Sequence, residues 1–371
     1  MTQTQTQTET RPVRRTAAKQ MIIDCDIHNV MAPGALEPYL SNRWLRHLKT
    51  FGSRQHNGNV YPKGSPARYD AFPPSGLPAG ADLGFMQKQH LDGLNVEFGI
   101  LGPLSGSGSQ LDPEFSAALS AATNDWQIKE WLEPEPRLRS GMIVPAEHSE
   151  QAVAEIERLA GHPGFVQVLL VARSAAPLGD RRYWKMYEAA ARHDLPIGIH
   201  YGGGVRGVPI SSAGWPSFYL EDHAGMSAAF QAHVASLIFG GIFDRLPNLR
   251  IALIEGGFAW LPSLAWRMDT HWERFRAEVP SVRRRPSEYV RDHFWVTTQP
   301  IEEPHRPADL QKVFDHLGGS DKVMFSTDYP HWDFDHPQHA FKVRLSAEQR
   351  DNIYTENARA FYKLPARAES L

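Results

Sequence analysis

Eight short apolar runs recur along this chain, and each ends in a turn or a polar residue. They are MIIDCDIH from residue 21, NVEFGILGP from 95, SGMIVPA from 140, FVQVLLVAR from 165, LPIGIHYGG from 195, LRIALIEGG from 249, HFWVTTQP from 293 and KVMFSTDYP from 322. Continuous runs of this kind are the mark of strands buried on both faces, where no solvated face imposes alternation. Stretches with helical periodicity separate them, among them PEFSAALSAATNDWQIKEWL, SEQAVAEIERLA, RRYWKMYEAAARH, HAGMSAAFQAHVASLIFGGIF, AWLPSLAWRMDTHWERF and PADLQKVFDHL. A last one, SAEQRDNIYTENARAFY, follows the eighth run. Strands that alternate with helices pair in parallel, and eight such units predict an α/β (β/α)8 TIM barrel over an open doubly wound sheet. Neither GxGxxG nor GxxxxGK(S/T) follows an early run, which removes the usual nucleotide site of an open sheet. The glycines of HYGGGVRG instead suggest a loop whose backbone approaches a site closely.

The rhythm breaks once. Between the first run and its helix, from about 50 to 82, the chain is rich in Gly, Pro and Asn. An inserted loop there opens on the face where barrel active sites sit, so a lid is expected, with His56, Tyr61 and Arg68 either touching substrate or solvated. Residues 1–20 lack the apolar stretch of a secretory signal and are expected to be a disordered tail, leaving 21–371 as a single barrel domain. The 371 residues carry a formal net charge of −3 with both signs interspersed, which is not the footprint of a nucleic-acid binder, RPVRR notwithstanding. No apolar run approaches the roughly 20 residues that cross a bilayer, so no membrane partner is expected. The lone cysteine, Cys25, excludes an intramolecular disulfide and fits a reducing cytoplasm; its strand parity turns it towards the helix layer.

The strand ends carry the chemistry. Asp24, Asp26 and His28 recur at every second position of the first run, so alternation aims all three the same way. His200 ends the fifth run, Glu255 the sixth and Asp328 the eighth. Barrel active sites are drawn from several strand ends at once. So many buried carboxylates and imidazoles in one ring would be very costly without a cation, and a divalent metal accounts for them. Asp24, deeper in the strand, either orients a ligand histidine or pairs with an arginine.

The runs DCDIH, GIHYGG, LPNLRIALIEGGFAWLP and MFSTDYPHWD together make the chain resemble the metal-dependent amidohydrolase superfamily, over roughly Met21 to Tyr362. Within it, the resemblance is to the amidohydrolase-related group that includes aminocarboxymuconate-semialdehyde decarboxylase. It implies a (β/α)8 barrel with Asp26, His28, His200 and Asp328 as metal ligands. Two positions depart from that pattern, which has His-x-His on the first strand and an acid/base histidine at the end of the sixth. Here they are Asp26 and Glu255, each a carboxylate in place of an imidazole.

Oxygen-rich ligand sets suit manganese and mixed histidine–carboxylate sets suit non-haem iron, so one or two ions of Fe or Mn are favoured, with Zn possible. A bridging Glu255 would hold two ions about 3.5–4 Å apart. His223 and His233, ten residues apart, would lie within about 80 degrees on a single helix at 3.6 residues per turn, and either could serve as second-metal ligand or acid/base. The ligand set best fits a dinuclear Fe or Mn/Fe hydroxylase that activates O2, and the resemblance, through family members that hydroxylate small amino or carboxylic acids, implies a small carboxylic or amino acid as substrate. The alternatives are a non-oxidative decarboxylase, a hydrolase using metal-activated water with Glu255 or Asp328 as catalytic base, and a non-catalytic partner of an active paralogue. Arg68, Arg173 and Trp332 are candidates to bind a carboxylate-bearing substrate, with His331 an alternative acid/base. A homodimer, or a hetero-oligomer with a paralogue, is expected.

Overall fold

The computed structural model describes residues 20–53, 67–104, 106–202 and 214–367. Its eight strands are β1 (Ile22–Ile27), β2 (Val96–Leu101), β3 (Leu138–Ile143), β4 (Phe165–Val171), β5 (Ile197–His200), β6 (Ile251–Ile254), β7 (Phe294–Thr297) and β8 (Val323–Met324). They form one parallel sheet in sequence order, each strand beside the next. β8 is shorter than its apolar run because Phe325 to Tyr329 leave β7 and bond to β1. Cys25 N donates to Phe325 O at 3.0 Å, Asp328 N to Asp26 O at 3.1 Å and His28 N to Tyr329 O at 2.7 Å, which draws the sheet round into a barrel. Helices follow the strands, among them α1 (Asn42–Phe51) after β1, α2 (Leu83–Met86) before β2, α3 (Pro113–Gln127) after β2, α4 (Ser149–Leu159) after β3 and α5 (Trp184–Arg192) after β4. The β5–β6 connection holds α6 (Tyr219–Ala224) and α7 (Ser227–Gly240). Among the described residues no helix is long and apolar enough to cross a membrane.

Two apolar layers hold the barrel. The larger joins the outward strand residues, such as Ile199, Leu253 and Val296, to the helices; the smaller fills the interior with Ile100, Ile143, Leu169, Ile254 and Met324. The C-terminal Phe361, Tyr362 and Leu364 belong to the inner layer.

β1 departs from simple alternation, and the site depends on how. Its register against β2 shifts between Asp24 and Ile27. Such a bulge places consecutive residues on one side of a strand. Ile23 and Cys25 join the inner layer, Ile27 joins the outer one, and Asp26 and His28 face inward with the metal-ligand candidates. Asp24 is turned instead towards His90, in the helical segment continuing α2, whose Nε2 lies 2.7 Å from Asp24 Oδ2. The three polar residues of β1 therefore do not share a face, Cys25 does not face the helices, and Asp24 meets neither a ligand histidine nor an arginine.

The insertion after β1 begins later than expected, since Thr50 and Phe51 close α1. Residues 54–66, with His56 and Tyr61, lie outside the described residues, as do 1–19 of the expected tail and 203–213, which hold most of the glycine-rich HYGGGVRG. From Ala67 onward the chain packs on the barrel mouth: Ala67 bridges to His331, and Arg68 N donates to Pro330 O at 2.8 Å. Gly80 sits there at φ +79, and a Cβ on it would stand 2.6 Å from His28 O. Only glycine suits both demands.

Candidate metal centre

Asp26, His28, His200, Glu255 and Asp328 converge at the mouth with exposures of 1%, 2%, 0%, 4% and 0%. Each imidazole is oriented by its backbone. His28 Nδ1 donates to Gly102 O at 2.7 Å and His200 Nδ1 to Tyr201 O at 2.5 Å, which leaves both Nε2 atoms facing carboxylates. His28 Nε2 stands 2.8 Å from Asp328 Oδ1 and 3.5 Å from Asp26 Oδ1. His200 Nε2 stands 3.1 Å from Asp26 Oδ2 and 3.3 Å from Glu255 Oε2. An imidazole that has given its Nδ1 proton to a carbonyl presents a lone pair at Nε2, and that lone pair and a carboxylate oxygen tolerate each other only with a proton or a cation between them. Asp328 Oδ2 is buried without a hydrogen-bond partner, a further point at which positive charge is called for. The donor set therefore fits a divalent cation. Asp26, His28, His200 and Glu255 offer atoms within 4.8 Å of one another, as do His28, Glu255, Asp328 and His331.

Two of these carboxylates sit on backbone that a side chain rarely adopts. Glu255 has φ 57 and Asp328 φ 61, in the left-handed region. Such conformations persist where surroundings over-determine them, and they cluster at functional sites. The Glu255 amide donates to Thr297 Oγ1 at 3.1 Å, and a Cβ on the following Gly256 would press within 2.9 Å of Phe230. The EGG run thus turns sharply enough to aim Glu255 back over the barrel.

Electrostatics divides the acids. Burial would raise Asp26, but His200 and His28 outweigh it and hold its carboxyl below the usual range. Asp328 is pushed well above that range by burial, then by Asp26 and Asp333. Glu255 is likewise pushed well up, by burial first and then Asp328, with His200 opposing. Burial lowers His200, yet Asp26 and Glu255 raise it overall. His331, whose Nδ1 is 2.6 Å from Asp328 Oδ1, is driven well down by burial and by neighbouring His28. Burial and mutual repulsion thus push two of the acids up, while the imidazoles hold the third down.

Over the mouth lies a polar and aromatic rim. His223 Nε2 is 3.0 Å from Asp333 Oδ2, and the two form a third group with Glu255. Trp332, 49% exposed, donates from Nε1 to Tyr219 OH at 2.9 Å, and its ring packs 5.3 Å from that of His223.

Other expected site residues lie elsewhere. His223 and His233 do not share a helix, because the chain turns at Gly225 between α6 and α7. His233 packs inside, with Nε2 2.6 Å from Ala172 O and Leu178 N donating to Nδ1 at 3.2 Å; both nitrogens serve backbone, so it is a structural histidine. Arg173 donates from Nη2 to both oxygens of Asp222, at 2.5 and 2.7 Å, and Tyr201 OH bonds the same carboxylate. That buried pair ties α6 to the end of β4 and holds Nη2 on Asp222. Arg68 bonds Asp70 through Nε at 2.9 Å and Nη2 at 2.6 Å, and lies 4.1 Å over the Phe334 ring. The sequence leaves Asp222 and His90 unmarked: each partner is dozens of residues away, and no local pattern singles them out.

A family model described as Amidohydrolase matches residues 23–364. Gamma-resorcylate decarboxylase of Polaromonas sp. is 28% identical over 258 residues, 65% of this chain and 75% of its own. The enzyme of that name from Rhodococcus jostii is 27% identical over 305 residues, 76% of this chain and 88% of its own. Among solved structures, 5-carboxyvanillate decarboxylase of Novosphingobium aromaticivorans, with bound manganese and a hydroxy-methoxy-nitrobenzoic acid, superposes with a TM-score of 0.71 at 19% identity, covering 94% of this chain and 99% of its own.

Proposed function

Since the chain belongs to the amidohydrolase family, we propose that it catalyses the metal-dependent, non-oxidative decarboxylation of a small hydroxylated aromatic acid. The observation that carries this reading is the buried Glu255 carboxyl at the edge of the ligand ring, its Oε2 3.3 Å from His200 Nε2, where the chain has a carboxyl group to serve as acid. Decarboxylation replaces CO2 on carbon by a proton, and an acid is what the missing strand-six imidazole would otherwise supply. The gamma-resorcylate decarboxylase likeness supports the same reaction, in place of the oxygen-activating hydroxylation expected from ligand chemistry alone.

In this reading Asp26, His28, His200 and Asp328 hold the ion, and manganese suits that mixture of carboxylate oxygens and imidazole nitrogens. The bound cation would supply a positive centre that anchors the acid's carboxylate and neighbouring oxygen. Tyr219, His223 and Trp332 present ring surface against which an aromatic substrate stacks. Burial of the ligand ring excludes water, so Glu255 delivers its proton to the carbon that bears the carboxylate. The electron pair of the broken carbon–carbon bond stays with the substrate ring, CO2 leaves, and no oxidant is consumed.

Turnover of gamma-resorcylate and related hydroxybenzoates in D2O tests the reaction type. The expected product carries one deuterium at the vacated carbon. A product that has gained oxygen and no deuterium there would overturn the reading.

One observation favours a second reading: Glu255 belongs both to the ligand ring and to the group with His223 and Asp333. If each group takes an ion, Glu255 is a shared ligand instead of an acid, and hydrolysis or oxygen activation becomes the better chemistry.

A further inference from the structure

Asp24 is wholly buried beside the β1 bulge, and its carboxylate accepts four donors. Oδ1 takes Asp26 N at 3.3 Å and Thr327 N at 2.9 Å. Oδ2 takes Thr327 Oγ1 at 2.5 Å and His90 Nε2 at 2.7 Å. Thr327 Oγ1 in turn accepts Tyr329 N at 3.2 Å, and the Tyr329 ring stacks on His90 at 4.5 Å. One carboxylate therefore joins the amide of Asp26 to the residues on both sides of Asp328, where φ is 61. Neither connection is required to close the barrel, which the backbone bonds Cys25 N to Phe325 O, Asp328 N to Asp26 O and His28 N to Tyr329 O already do; the carboxylate adds a second tie beside the Asp26–Asp328 bond.

We infer that His90 and Asp24 are positioning residues for the metal centre: they clamp the bulge in β1 to the strained corner after β8 and so set the spacing between Asp26 and Asp328. The imidazole's part is to supply the donor that a buried carboxylate needs and, by stacking, to fix Tyr329. A network that merely stabilised the barrel would tolerate loss of one donor without altering what the mouth binds. The inference rests on the reading of Asp26 and Asp328 as metal ligands.

The test is Mn(II) titration of the full chain by calorimetry. His90→Phe keeps a ring on Tyr329 and removes the donor, while His90→Gln returns an N–H towards Asp24. Groups that orient metal ligands change affinity by about 10–100-fold when removed, so His90→Phe should weaken Mn(II) binding by that factor and His90→Gln should recover to within about threefold of the native value. Thr327→Val, which deletes the hydroxyl donor to Oδ2, should weaken it in the same direction and serves if His90→Phe does not fold. A folded His90→Phe chain, or Thr327→Val chain, that binds Mn(II) within about twofold of native overturns the inference, provided Asp26→Ala loses binding. If Asp26→Ala also binds normally, the ligand reading itself has failed.

Discussion

Asp26→Ala should bind Mn(II) at least about 100-fold more weakly than the native chain and lose decarboxylation with it, an effect at or beyond the upper end of that seen for groups behind the ligands. Asp26 faces both imidazoles, with Oδ1 3.5 Å from His28 Nε2 and Oδ2 3.1 Å from His200 Nε2. No other carboxylate among the described residues pairs with both. The measurement is thermal unfolding with and without metal. A ligand at 100 times its dissociation constant stabilises a fold by about 2.7 kcal/mol; weakening binding 100-fold leaves about 0.4 kcal/mol at the same concentration. Because the metal-free variant also loses the attraction between Asp26 and the two imidazoles, which holds its carboxyl below the usual range, the quantity compared is the metal-induced shift within each chain. An undiminished metal-induced shift would remove Asp26 from the ligand set.

Glu255→Gln should retain the metal and lose turnover, since the amide keeps the shape and cannot deliver a proton. Loss of a general acid typically lowers kcat by about 10²–10⁴-fold, and the substrate's KM should move far less. The pH profile carries the sign. Burial raises the Glu255 carboxyl, so the proton is held on the acid side and is lost as pH rises through the raised value. Native kcat should therefore fall on the alkaline side, and the residual activity of Glu255→Gln should not follow that limb. Loss of one of two bound ions in this variant would instead support the shared-ligand reading.

The barrel was legible because buried parallel strands announce themselves as apolar runs, and eight of them leave few architectures open. The polar strand ends were legible for the same reason: a charged residue closing an apolar run stands out. What could not be read was backbone geometry. A bulge carries no mark in the alternation rule, so Asp24 and Cys25 lie on the faces opposite to those that alternation predicts, and β1 delivers Asp26 and His28 inward only because the register shifts beside them. The left-handed turns at Glu255 and Asp328 were equally silent, since neither residue is the glycine that such φ values favour. Long-range pairing was the third blind spot. Arg173 at a strand end looks free until Asp222 is found 49 residues later, and His233 looks like a ligand until both ring nitrogens are seen bonded to backbone.

Loading the chain with Mn(II), counting bound metal, and following hydroxybenzoate, CO2 and O2 together separates the proposed one-metal decarboxylation from its rivals. One ion per chain, CO2 released in equal amount to the acid consumed, and no change in O2 are expected. Two ions per chain with O2 consumed in step with the acid would contradict one-metal decarboxylation.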